Sequence, residues 1–519
     1  MSNSEPSTKI RDAVRTFATF DSRLLGDGEA AQATGTSPEL SEMAREVASH
    51  FSDQPVAPNL LYGCLRLTDL ALVFCVGCIL ALIHRPPMLD WTIASISFTG
   101  AVIAVLFNQA ADSYLIASLR SNFSQVARVF SAWTISFLSI SFLVMVLRGL
   151  DSDATGWMAS WYLAGFGLMI MTRVMTARLV NQWIRDGRLE RRAVIVGGGQ
   201  SAEELIHSLE SQKNSDIRIC GIFDDRADDR SPAVIKGYPK LGNVADLVEF
   251  GRITMLDMLI VTIPLKAENR VLELLRKLWV LPVDIHLSAH ADKLRFRPRS
   301  YTYVGSVPML AIFDKPLADW DAVAKRVFDI VFGTIAIILT FPIMIGAAIA
   351  IRLDSPGPIL FKQKRYGFNN EVIDVWKFRS MYVDQSDPDA KRVVTKGDPR
   401  VTRVGRFIRK TSIDELPQLF NVLMGSLALV GPRPHALKGL TQNKLFEQVV
   451  DGYFARHKVK PGVTGWAQIN GWRGEVDTPE KIRKRVEFDL YYIENWSLFL
   501  DFKILVLTPF RIIGQEGAY

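Results

Sequence analysis

Residues 327–351 read VFDIVFGTIAIILTFPIMIGAAIAI, an apolar run that a proline interrupts beyond its centre. Lys325 and Arg326 precede the run and Arg352 follows it, so both flanks are basic. A helix that simply crosses a membrane would carry one basic flank to the outer side, where Lys and Arg are disfavoured. The sequence therefore predicts a re-entrant helix over residues 325–352. An ordinary kinked transmembrane helix is the alternative.

Three residues in this run have expected effects on the helix. Pro342 lacks an amide hydrogen and its ring clashes with the preceding turn, so it favours a bend. The Thr340 hydroxyl is expected to satisfy a carbonyl group that the bend frees. Asp329 is expected to pair with Arg326 or Lys325 at the level of the lipid head groups. A helix bent in this way can enter and leave the bilayer on the same side.

Four further apolar stretches lie upstream, each close to the ~20 residues that cross a hydrocarbon layer. They cover residues 67–83, 92–110, 129–147 and 157–171. The second and fourth are followed by unbalanced arginines, namely Arg120, Arg128, Arg173, Arg178, Arg185, Arg188, Arg191 and Arg192. Because such loops stay in the cytoplasm, both ends of a four-helix transmembrane bundle over residues 61–178 are predicted to face it.

The composition leaves several partners open. The chain of 519 residues carries 61 Lys plus Arg against 54 Asp plus Glu, and its net charge of +7 suits anionic lipids, a phosphorylated substrate or nucleic acid. Residues 1–60 are polar and lack the apolar core of a signal peptide, which predicts a disordered cytosolic tail. Cys75 and Cys78 imitate a redox motif, but they lie in an apolar stretch where plain packing is favoured.

After Arg192 the pattern changes to AVIVGGGQSA over residues 193–202, an apolar strand followed by glycines and a helix. Strands over residues 217–223 and 258–263 alternate with amphipathic helices. This alternation predicts a Rossmann-like domain with a parallel sheet over residues 190–313.

The glycines after the first strand have two interpretations. Gly197, Gly199 and Ala202 fit a dinucleotide-binding loop, and Asp224 or Asp225 follows where a ribose contact would lie. Glycines here also permit close packing of a strand against a helix. A bound nucleotide and a ligand-free structural or regulatory domain stay equally open. The sequence contains no Tyr-x-x-x-Lys pair, which weighs against an NAD-dependent nucleotide-sugar dehydratase.

Residues 409–417 read RKTSIDELP and place two carboxylates, Asp414 and Glu415, behind a basic cluster. A carboxylate at a helix N-terminus is held ionised by exposed amide groups, which also attract phosphate. Asp414 is therefore a candidate nucleophile that would form a covalent acyl phosphate. Glu415 offers the oxygen ligands that Mg²⁺ prefers. The alternative is a capping box between Ser412 and Glu415, although Pro417 fits a helix that starts at Asp414 better.

Nearby cations are candidates for phosphate binding, and they are Lys362, Arg365, Lys377, Arg379 and Arg409. Most of these cations lie on two predicted strands, residues 362–367 and 376–381. Each cation on these strands could equally belong to a solvated basic face near anionic lipid. Residues 431–434 read GPRP after an apolar run and predict a rigid turn at a strand end. Arg433 in this turn is a candidate for nucleotide binding. The glycine-rich residues 461–471 are a further candidate part of the site. An ordinary structural turn explains them as well.

Together these blocks resemble the bacterial sugar transferases, the monotopic phosphoglycosyl transferases that move a hexose 1-phosphate from a UDP-sugar to a polyprenyl phosphate. The similarity covers residues 324–519, and the upstream regions resemble the large form of this family. The resemblance implies that Asp414 is the nucleophile and Glu415 the partner of Mg²⁺. It assigns the nucleotide-binding element to Pro432, Arg433 and Pro434. It also implies UDP-glucose and undecaprenyl phosphate as substrates, UMP as leaving group, and a role at the start of exopolysaccharide or capsule synthesis.

The predicted fold is a membrane α plus α/β protein. It combines the helix bundle, the Rossmann-like domain and a mixed α/β catalytic domain over residues 320–519, anchored by the re-entrant helix. The expected location is the bacterial inner membrane, with the catalytic domain facing the cytoplasm. Membrane lipids are expected partners and nucleic acid is not, while a homo-oligomer is left open. The rivals are the dehydratase, a non-enzymatic membrane scaffold, and a metal-dependent glycosyltransferase that releases UDP and uses residues 387–389 (DPD) as its acidic motif.

Overall fold

The computed structural model describes residues 40–51, 57–84, 91–119, 122–148, 152–186, 188–211, 217–226, 232–263, 267–288, 302–304, 307–383, 398–435, 440–441, 444–450, 452–474 and 478–513. The chain divides into two compact units. One unit spans residues 53–190, and the other combines residues 1–52 with residues 191–519.

The first described helix, α1 (Glu42–His50), packs on the domain that begins at residue 191. Ser41 caps α1, because its hydroxyl accepts a hydrogen bond from the backbone amide of Ala44. One face of this segment is buried in the core of that domain through Leu40, Ala44, Ala48 and Phe51. The prediction of a disordered tail over residues 1–60 is therefore wrong for residues 40–51, where an apolar helical stripe finds a partner. Residues 1–39 lie outside the described residues.

The unit of residues 53–190 consists of helices. They are α2 (Pro58–His84), α3 (Trp91–Ala110), α4 (Ile116–Leu119), α5 (Asn122–Arg148) and α6 (Ser152–Arg185). The four long helices correspond to the four predicted apolar stretches, and each is long and apolar enough to cross a membrane. Trp161 is fully buried among them, and its indole nitrogen donates to the Val73 carbonyl at 3.0 Å. Gly100 allows this packing, since an added Cβ would lie 2.7 Å from the Trp161 ring.

The Rossmann-like domain alternates strands and helices. Its elements are β1 (Arg191–Val196), α7 (Gln200–Glu210), β2 (Ile217–Phe223), β3 (Val234–Ile235), β4 (Tyr238–Gly242), α8 (Val244–Ile253), β5 (Met258–Val261), α9 (Glu268–Leu278), β6 (Asp284–Ser288), β7 (Thr302–Val304) and β8 (Val307–Phe313). The strand order is β3-β4-β2-β1-β5-β6-β8-β7. The strands β4, β2, β1, β5 and β6 run parallel, which confirms the predicted parallel sheet, and β8 joins antiparallel to β6. The short or irregularly patterned strands β3, β4 and β6–β8 were not predicted.

The fifth apolar run lies in α10 (Asp319–Asp354), a continuous helix that contains Pro342. The Lys325 ammonium lies 2.9 Å from the Asp329 carboxylate, as expected, and 2.7 Å from Asp501. The Thr340 hydroxyl donates to the Ala336 carbonyl at 2.7 Å. The carbonyl that Pro342 deprives of its i−4 partner belongs to Ile338 instead, so the predicted role of Thr340 is wrong in detail. Such a bond to the preceding turn bends helices.

The remaining elements follow α10. They are β9 (Leu360–Tyr366), β10 (Val372–Phe378), α11 (Arg403–Lys410), α12 (Gln418–Met424), β11 (Ala428–Val430), β12 (Leu440–Thr441), β13 (Lys444–Leu445), α13 (Phe446–Val449), β14 (Gly462–Thr464), α14 (Trp466–Ile469), α15 (Pro479–Glu494) and α16 (Leu498–Ile513). The strands β9 and β10 overlap the two predicted strands and form an antiparallel hairpin, and β11 pairs in parallel with β14. One core joins α12, β11, α15 and α16 to the first half of α10.

Candidate active site

The turn that carries the two carboxylates is a 3₁₀ turn, Ile413–Glu415, between α11 and α12. Ser412 precedes it with a left-handed backbone (φ 59°), which costs a non-glycine residue roughly 1–2 kcal/mol. Its hydroxyl accepts a hydrogen bond from the Arg473 guanidinium and does not cap a helix. The alternative capping box is therefore absent. Because α12 begins only at Gln418, the expectation that Asp414 lies at the N-terminus of an α-helix is also wrong.

Glu415 is held by two cations from different segments. The Arg433 guanidinium donates to both carboxylate oxygens, at 3.1 Å to Oε2 and more closely to Oε1. The Lys377 ammonium lies 3.4 Å from Oε1. Burial alone would raise the pKa of Glu415, but the charges of Arg433 and then Lys377 outweigh it, and the pKa is lowered. Glu415 is therefore ionised and fixed in place.

Asp414 has a different environment from its neighbour. Its carboxylate accepts no hydrogen bond from the part of the chain that the structure describes. Burial and then the adjacent Glu415 charge raise the pKa of Asp414 to about 6, against the opposing charges of Lys377 and Arg409. A half-buried, unpaired carboxylate retains its nucleophilic oxygen and is still ionised at neutral pH. The surrounding cations, rather than a helix dipole, favour the ionised form of Asp414.

The β9–β10 hairpin divides its cations between two faces. Residues directly opposite each other in the hairpin share a face, and so do residues two or four apart on one strand. Arg365 opposes Ile373, which is four residues before Lys377 on β10, and Lys377 opposes Phe361, which is four residues before Arg365 on β9. Arg365 and Lys377 therefore lie on one face, towards Glu415 and Arg433, whose charges affect both of them. Lys362 lies on the other face, with its ammonium 5.6 Å from the centre of the Trp376 ring. The structure thus places Lys362 away from the predicted phosphate cluster.

Arg379 is buried, but its donors do not face the candidate site. Its guanidinium donates to the carbonyls of Ser355 (2.7 Å) and Pro356, just after α10 ends. Gly357 makes room for it, since an added Cβ would lie 2.6 Å from Nη1. These contacts satisfy the C-terminus of α10. The prediction that Arg379 binds phosphate has no support in this arrangement.

The Gly431–Pro434 turn leaves the end of β11, as the sequence predicted. An added Cβ at Gly431 would lie 2.5 Å from the Lys460 carbonyl, so only glycine fits where the turn crosses the chain ahead of β14. Pro432 and Pro434 stiffen the turn on either side of Arg433. The guanidinium of Arg433 is thereby directed at Glu415, which brings the two predicted motifs together. Gly462 and Gly465 serve this close packing, since an added Cβ would lie 2.1 and 2.3 Å from the Gly431 backbone, in accord with the structural interpretation.

Sequence reasoning missed several cations of the site. Arg473 contacts Ser412, and its charge also affects Glu415. Arg456 and Arg485 are buried behind the Gly431–Pro434 turn, with His435 between them. Arg473 lies between two glycines just after residues 461–471, which was the one available signal. Nothing in the local pattern marks Arg456 or Arg485, because their partners are distant in the sequence.

The donor chemistry of the turn fits Mg²⁺ only in part. Asp414 and Glu415 supply hard carboxylate oxygens, and a divalent cation would offset the repulsion that raises the pKa of Asp414. Within the described ranges, no group of three His, Cys, Asp and Glu side chains could hold a metal ion. Mg²⁺ commonly binds one or two carboxylates together with substrate phosphates and water. The residues therefore fit a metal that arrives with a phosphorylated substrate.

Comparison with known proteins supports the same chemistry. A family model described as "Bacterial sugar transferase" matches residues 320–515. UDP-glucose:undecaprenyl-phosphate glucose-1-phosphate transferase of Escherichia coli (strain K12) is 36% identical over 397 residues, which are 76% of this chain and 83% of that protein. The chain belongs to the bacterial sugar transferase family. It is therefore a transferase, and the predicted resemblance is confirmed.

Other relatives of this sugar transferase are named for glucose or for another sugar. The Klebsiella pneumoniae protein with the same name as the E. coli relative is 36% identical over 387 residues, 75% of this chain and 81% of that protein. A UDP-N-acetylgalactosamine-undecaprenyl-phosphate N-acetylgalactosaminephosphotransferase of Aeromonas hydrophila is 43% identical over 198 residues, 38% of this chain and 45% of that protein. A second model, described as a CoA-binding domain, matches residues 109–289.

The glycine loop of this sugar transferase uses its polar groups internally. Asp224, the candidate ribose ligand, accepts a hydrogen bond from the Gly198 amide (2.8 Å) and from the Arg226 guanidinium (3.0 Å). Arg226 in turn donates to the Gly198 carbonyl at 2.9 Å. Asp225, the alternative ligand, caps α8 by accepting the Val244 amide at 2.9 Å. The loop is closed on itself, which favours the structural or regulatory interpretation over bound NAD.

A cavity of about 450 Å³ lies beside this loop. Its lining includes Gly197 and residues of α9. Charged side chains of both signs line it, namely Asp224, Asp225, Glu273, Arg270 and Lys277. This mixture does not select one class of ligand. The acidic residues 387–389 of the rival glycosyltransferase interpretation lie outside the described residues.

Proposed function

We propose that this sugar transferase moves a hexose 1-phosphate, with glucose as the favoured sugar, from a UDP-sugar to undecaprenyl phosphate and releases UMP. Asp414 is the proposed nucleophile. The product, an undecaprenyl diphosphate sugar, would start the synthesis of an exopolysaccharide or capsule. The relatives named for this reaction, together with the site geometry, support the proposal.

The proposal rests on the different ion pairing of the two adjacent carboxylates. Glu415 is ion-paired to Arg433 and Lys377, whereas Asp414 is unpaired among the described residues and has a pKa of about 6. A carboxylate that only stabilised the turn would be expected to take a partner. Several cations outnumber the two acids, and a diphosphate would neutralise that excess.

Two displacements at one phosphorus describe the reaction. An Asp414 oxygen attacks the β-phosphorus of the UDP-sugar, and the bond to the bridging oxygen breaks, so that UMP leaves with that oxygen. The sugar phosphate is then bound to Asp414 as an acyl phosphate. An oxygen of undecaprenyl phosphate attacks the same phosphorus, and the bond to Asp414 breaks. The carboxylate is regenerated and the lipid carries the new diphosphate.

The residues around Asp414 have separate proposed roles. Arg433, between Pro432 and Pro434, binds the nucleotide diphosphate and keeps Glu415 ionised. Lys377 and Arg365 bind phosphate oxygens from the hairpin side, and Arg409 adds its charge from the end of α11. Mg²⁺, held by Glu415 and the substrate phosphates, would supply further charge neutralisation.

A membrane hairpin is proposed for α10, because both ends of this helix contact the same domain. Near its start, Asp329 accepts the Leu429 amide at 3.0 Å. At its end, Asp354 accepts the Val404 amide at 3.2 Å. A crossing helix would separate these contacts by more than the ~30 Å hydrocarbon layer. The arrangement therefore supports entry and exit on one face.

The exposed middle of α10 supports the same proposal. It presents large apolar side chains to the surroundings, including Ile338, Leu339, Phe341 and Ile349, which are 51–71% exposed. Lipid is the natural cover for such a surface. Together with the arginine-rich loops of the first unit, this surface supports our proposal that the catalytic domain faces the cytoplasm at the inner membrane, where UDP-sugars and the lipid phosphate would meet.

The reaction is tested with the full chain in lipid nanodiscs. It is incubated with Mg²⁺, undecaprenyl phosphate and one of three nucleotide sugars, UDP-glucose, UDP-galactose or UDP-N-acetylgalactosamine, and the released nucleotide is identified. We expect UMP, with the fastest release from UDP-glucose. Release of UDP, or of no nucleotide from any of the three, would contradict the proposal.

The covalent step has its own test. With UDP-glucose but no lipid acceptor, the enzyme should exchange labelled UMP into UDP-glucose, because the first displacement is reversible. Mass spectrometry of the acid-quenched protein should place a hexose phosphate on the peptide that contains Asp414. Transfer to lipid without any exchange would favour direct displacement by the lipid phosphate and remove Asp414 as nucleophile.

A further inference from the structure

The 3₁₀ segment Tyr453–Lys458 lies between the Rossmann-like domain and the candidate active site. It is deeply buried, since Ala455 and Arg456 are both 0% exposed. One side of this connector segment contacts α8 and the end of α9, and the other faces the Gly431–Pro434 turn. It therefore touches both the domain of unassigned role and the backbone that carries Arg433.

The contacts with the Rossmann-like domain are close. Gly452, with φ 68°, lies against the Trp279 ring, and an added Cβ would be 2.1 Å from that ring. The Lys458 ammonium lies 5.4 Å from the centre of the same ring. The Arg252 guanidinium lies 5.2 Å from the centre of the Phe454 ring. Trp279 directly follows α9, so the position of α9 bears on the connector segment.

On the other side, Arg456 uses its fork of donors on three partners. Nε and Nη2 donate to the Asp489 carboxylate at 3.0 and 2.6 Å. Nη1 lies 2.6 Å from Nδ1 of His435. Nη2 also donates to the backbone carbonyl of Arg433 at 2.8 Å. Burial and then the Arg456 charge lower the pKa of His435, so this histidine is neutral and can accept the hydrogen bond.

We infer that Arg456 is a positioning residue that fixes the Arg433 backbone, and that the Rossmann-like domain braces Arg456 through Trp279 and the connector segment. The inference rests on the proposed role of Arg433 in binding the nucleotide diphosphate. Arg456 touches neither Glu415 nor the place of the substrate, and it acts by holding the turn from behind. A lysine could not replace it, because only the planar fork reaches all three partners.

The alternative is that the Arg456 and Asp489 pair only stabilises the core. Such pairs are often replaceable by apolar residues at little cost in stability. Stability alone would not require a bond to the Arg433 carbonyl, and it would not couple Arg456 to substrate binding. The two explanations therefore differ in kinetics.

A double-mutant cycle separates them, with UMP release measured against UDP-glucose concentration in nanodiscs. Arg456→Lys should raise the KM for UDP-glucose about tenfold, since it perturbs binding by Arg433. In an Arg433→Ala background the same substitution should change KM no further, because the group that it positions is gone. If the fold-changes in KM of the two single variants multiply in the Arg456→Lys, Arg433→Ala variant, the positioning role is overturned.

A second variant guards against misfolding of Arg456→Lys. Arg456→Met combined with Asp489→Leu removes both members of the ion pair at once, so neither partner is left buried without the other. This variant should keep a thermal unfolding midpoint near that of the unmodified protein while showing the raised KM. If the variant with Arg456→Met and Asp489→Leu folds and its KM for UDP-glucose is unchanged, the inference is overturned.

The brace is tested by Trp279→Ala, with Val271→Ala as its matched control. Val271 is fully buried in α9, inside the Rossmann-like domain and away from the connector segment, so its truncation weakens that domain without removing the contact. Trp279→Ala should raise the KM for UDP-glucose by about threefold and Val271→Ala should not. Equal effects of the two would overturn the brace.

The unmodified protein separates failure of this inference from failure of the proposed function. If it releases no UMP from any UDP-sugar, the proposed function fails. If it releases UMP and the Arg456 and Arg433 effects are independent, the inference fails while the proposed function stands.

Discussion

The turn at Asp414 and the glycine loop at Gly198 both place an aspartate next to arginines, yet they use it in opposite ways. Asp224 is bound to the Gly198 amide and to Arg226, and Arg226 closes the ring on the Gly198 carbonyl. Asp414 is left without a hydrogen bond among the described residues, and burial together with Glu415 raises its pKa to about 6. One aspartate has satisfied its polar groups within the fold, and the other has not.

This difference indicates how a structural carboxylate can be told from a reactive one. A satisfied aspartate stabilises its own loop and has no capacity left for a ligand. An aspartate that remains half-buried and unpaired costs free energy in the folded state, and that cost is understandable if a substrate supplies the missing partner. Both segments looked like phosphate sites in the sequence, and only the contacts separate them.

The sharpest test of this comparison exchanges each aspartate for asparagine. Asp414→Asn should lower UMP release by about 10³-fold or more, because the nucleophile is lost, with little change in thermal unfolding. Asp224→Asn should leave the rate unchanged but lower the free energy of unfolding by about 1–3 kcal/mol, because it breaks a charged hydrogen-bond ring.

Asp374→Asn on the exposed side of the hairpin is the control for both variants, and neither rate nor stability should change. A rate loss in Asp224→Asn as large as that in Asp414→Asn would mean that the glycine loop also takes part in the reaction. The contrast between the two segments would then fail.

The proposed metal gives the next largest effect. Chelation with EDTA should stop UMP release, and added Mg²⁺ should restore it. Glu415→Gln should raise the Mg²⁺ concentration for half-maximal rate by about 10–100-fold, the range found for perturbed metal sites. A variant with the same Mg²⁺ requirement as the unmodified protein would assign the metal to other ligands.

The pKa of Asp414 predicts a pH dependence. Attack needs the ionised form, so kcat/KM should fall about tenfold per pH unit below pH 6 and level off above it. UMP exchange without lipid is the suitable assay, because the lipid phosphate has its own titration. An acid limb centred near pH 4 would show that Asp414 is solvated like an ordinary carboxylate.

The smallest expected effect concerns the glycine loop. Gly199 has φ 82° and ψ −162°, a backbone region essentially restricted to glycine, so Gly199→Ala should cost roughly 1–3 kcal/mol of stability through backbone strain. The KM for UDP-glucose should stay the same. Gly237→Ala provides a control with a similar φ (87°) in open space, and it should lower stability through the positive φ without changing KM. A KM change confined to Gly199→Ala would connect the loop to catalysis.

Local chemistry accounts for much of what was predicted here. The apolar runs predict the long helices, and the alternation around AVIVGGGQSA predicts the parallel sheet, because burial periodicity is written into each segment. The motif around Asp414 and Glu415 and the GPRP turn were also recognisable, since their residue types are adjacent in the chain.

The choice of cations around Asp414 depends on distant contacts, so it could not be read in the same way. Hairpin register places Lys377 and Arg365 on the face of the site and turns Lys362 away, while the end of α10 takes the donors of Arg379. Arg473 reaches Ser412 from a distant segment, and Arg456 reaches the back of the Gly431–Pro434 turn from another. The residues next to a cation in the sequence do not identify its partner. Charges interact through space, so the fold alone determines which charges meet.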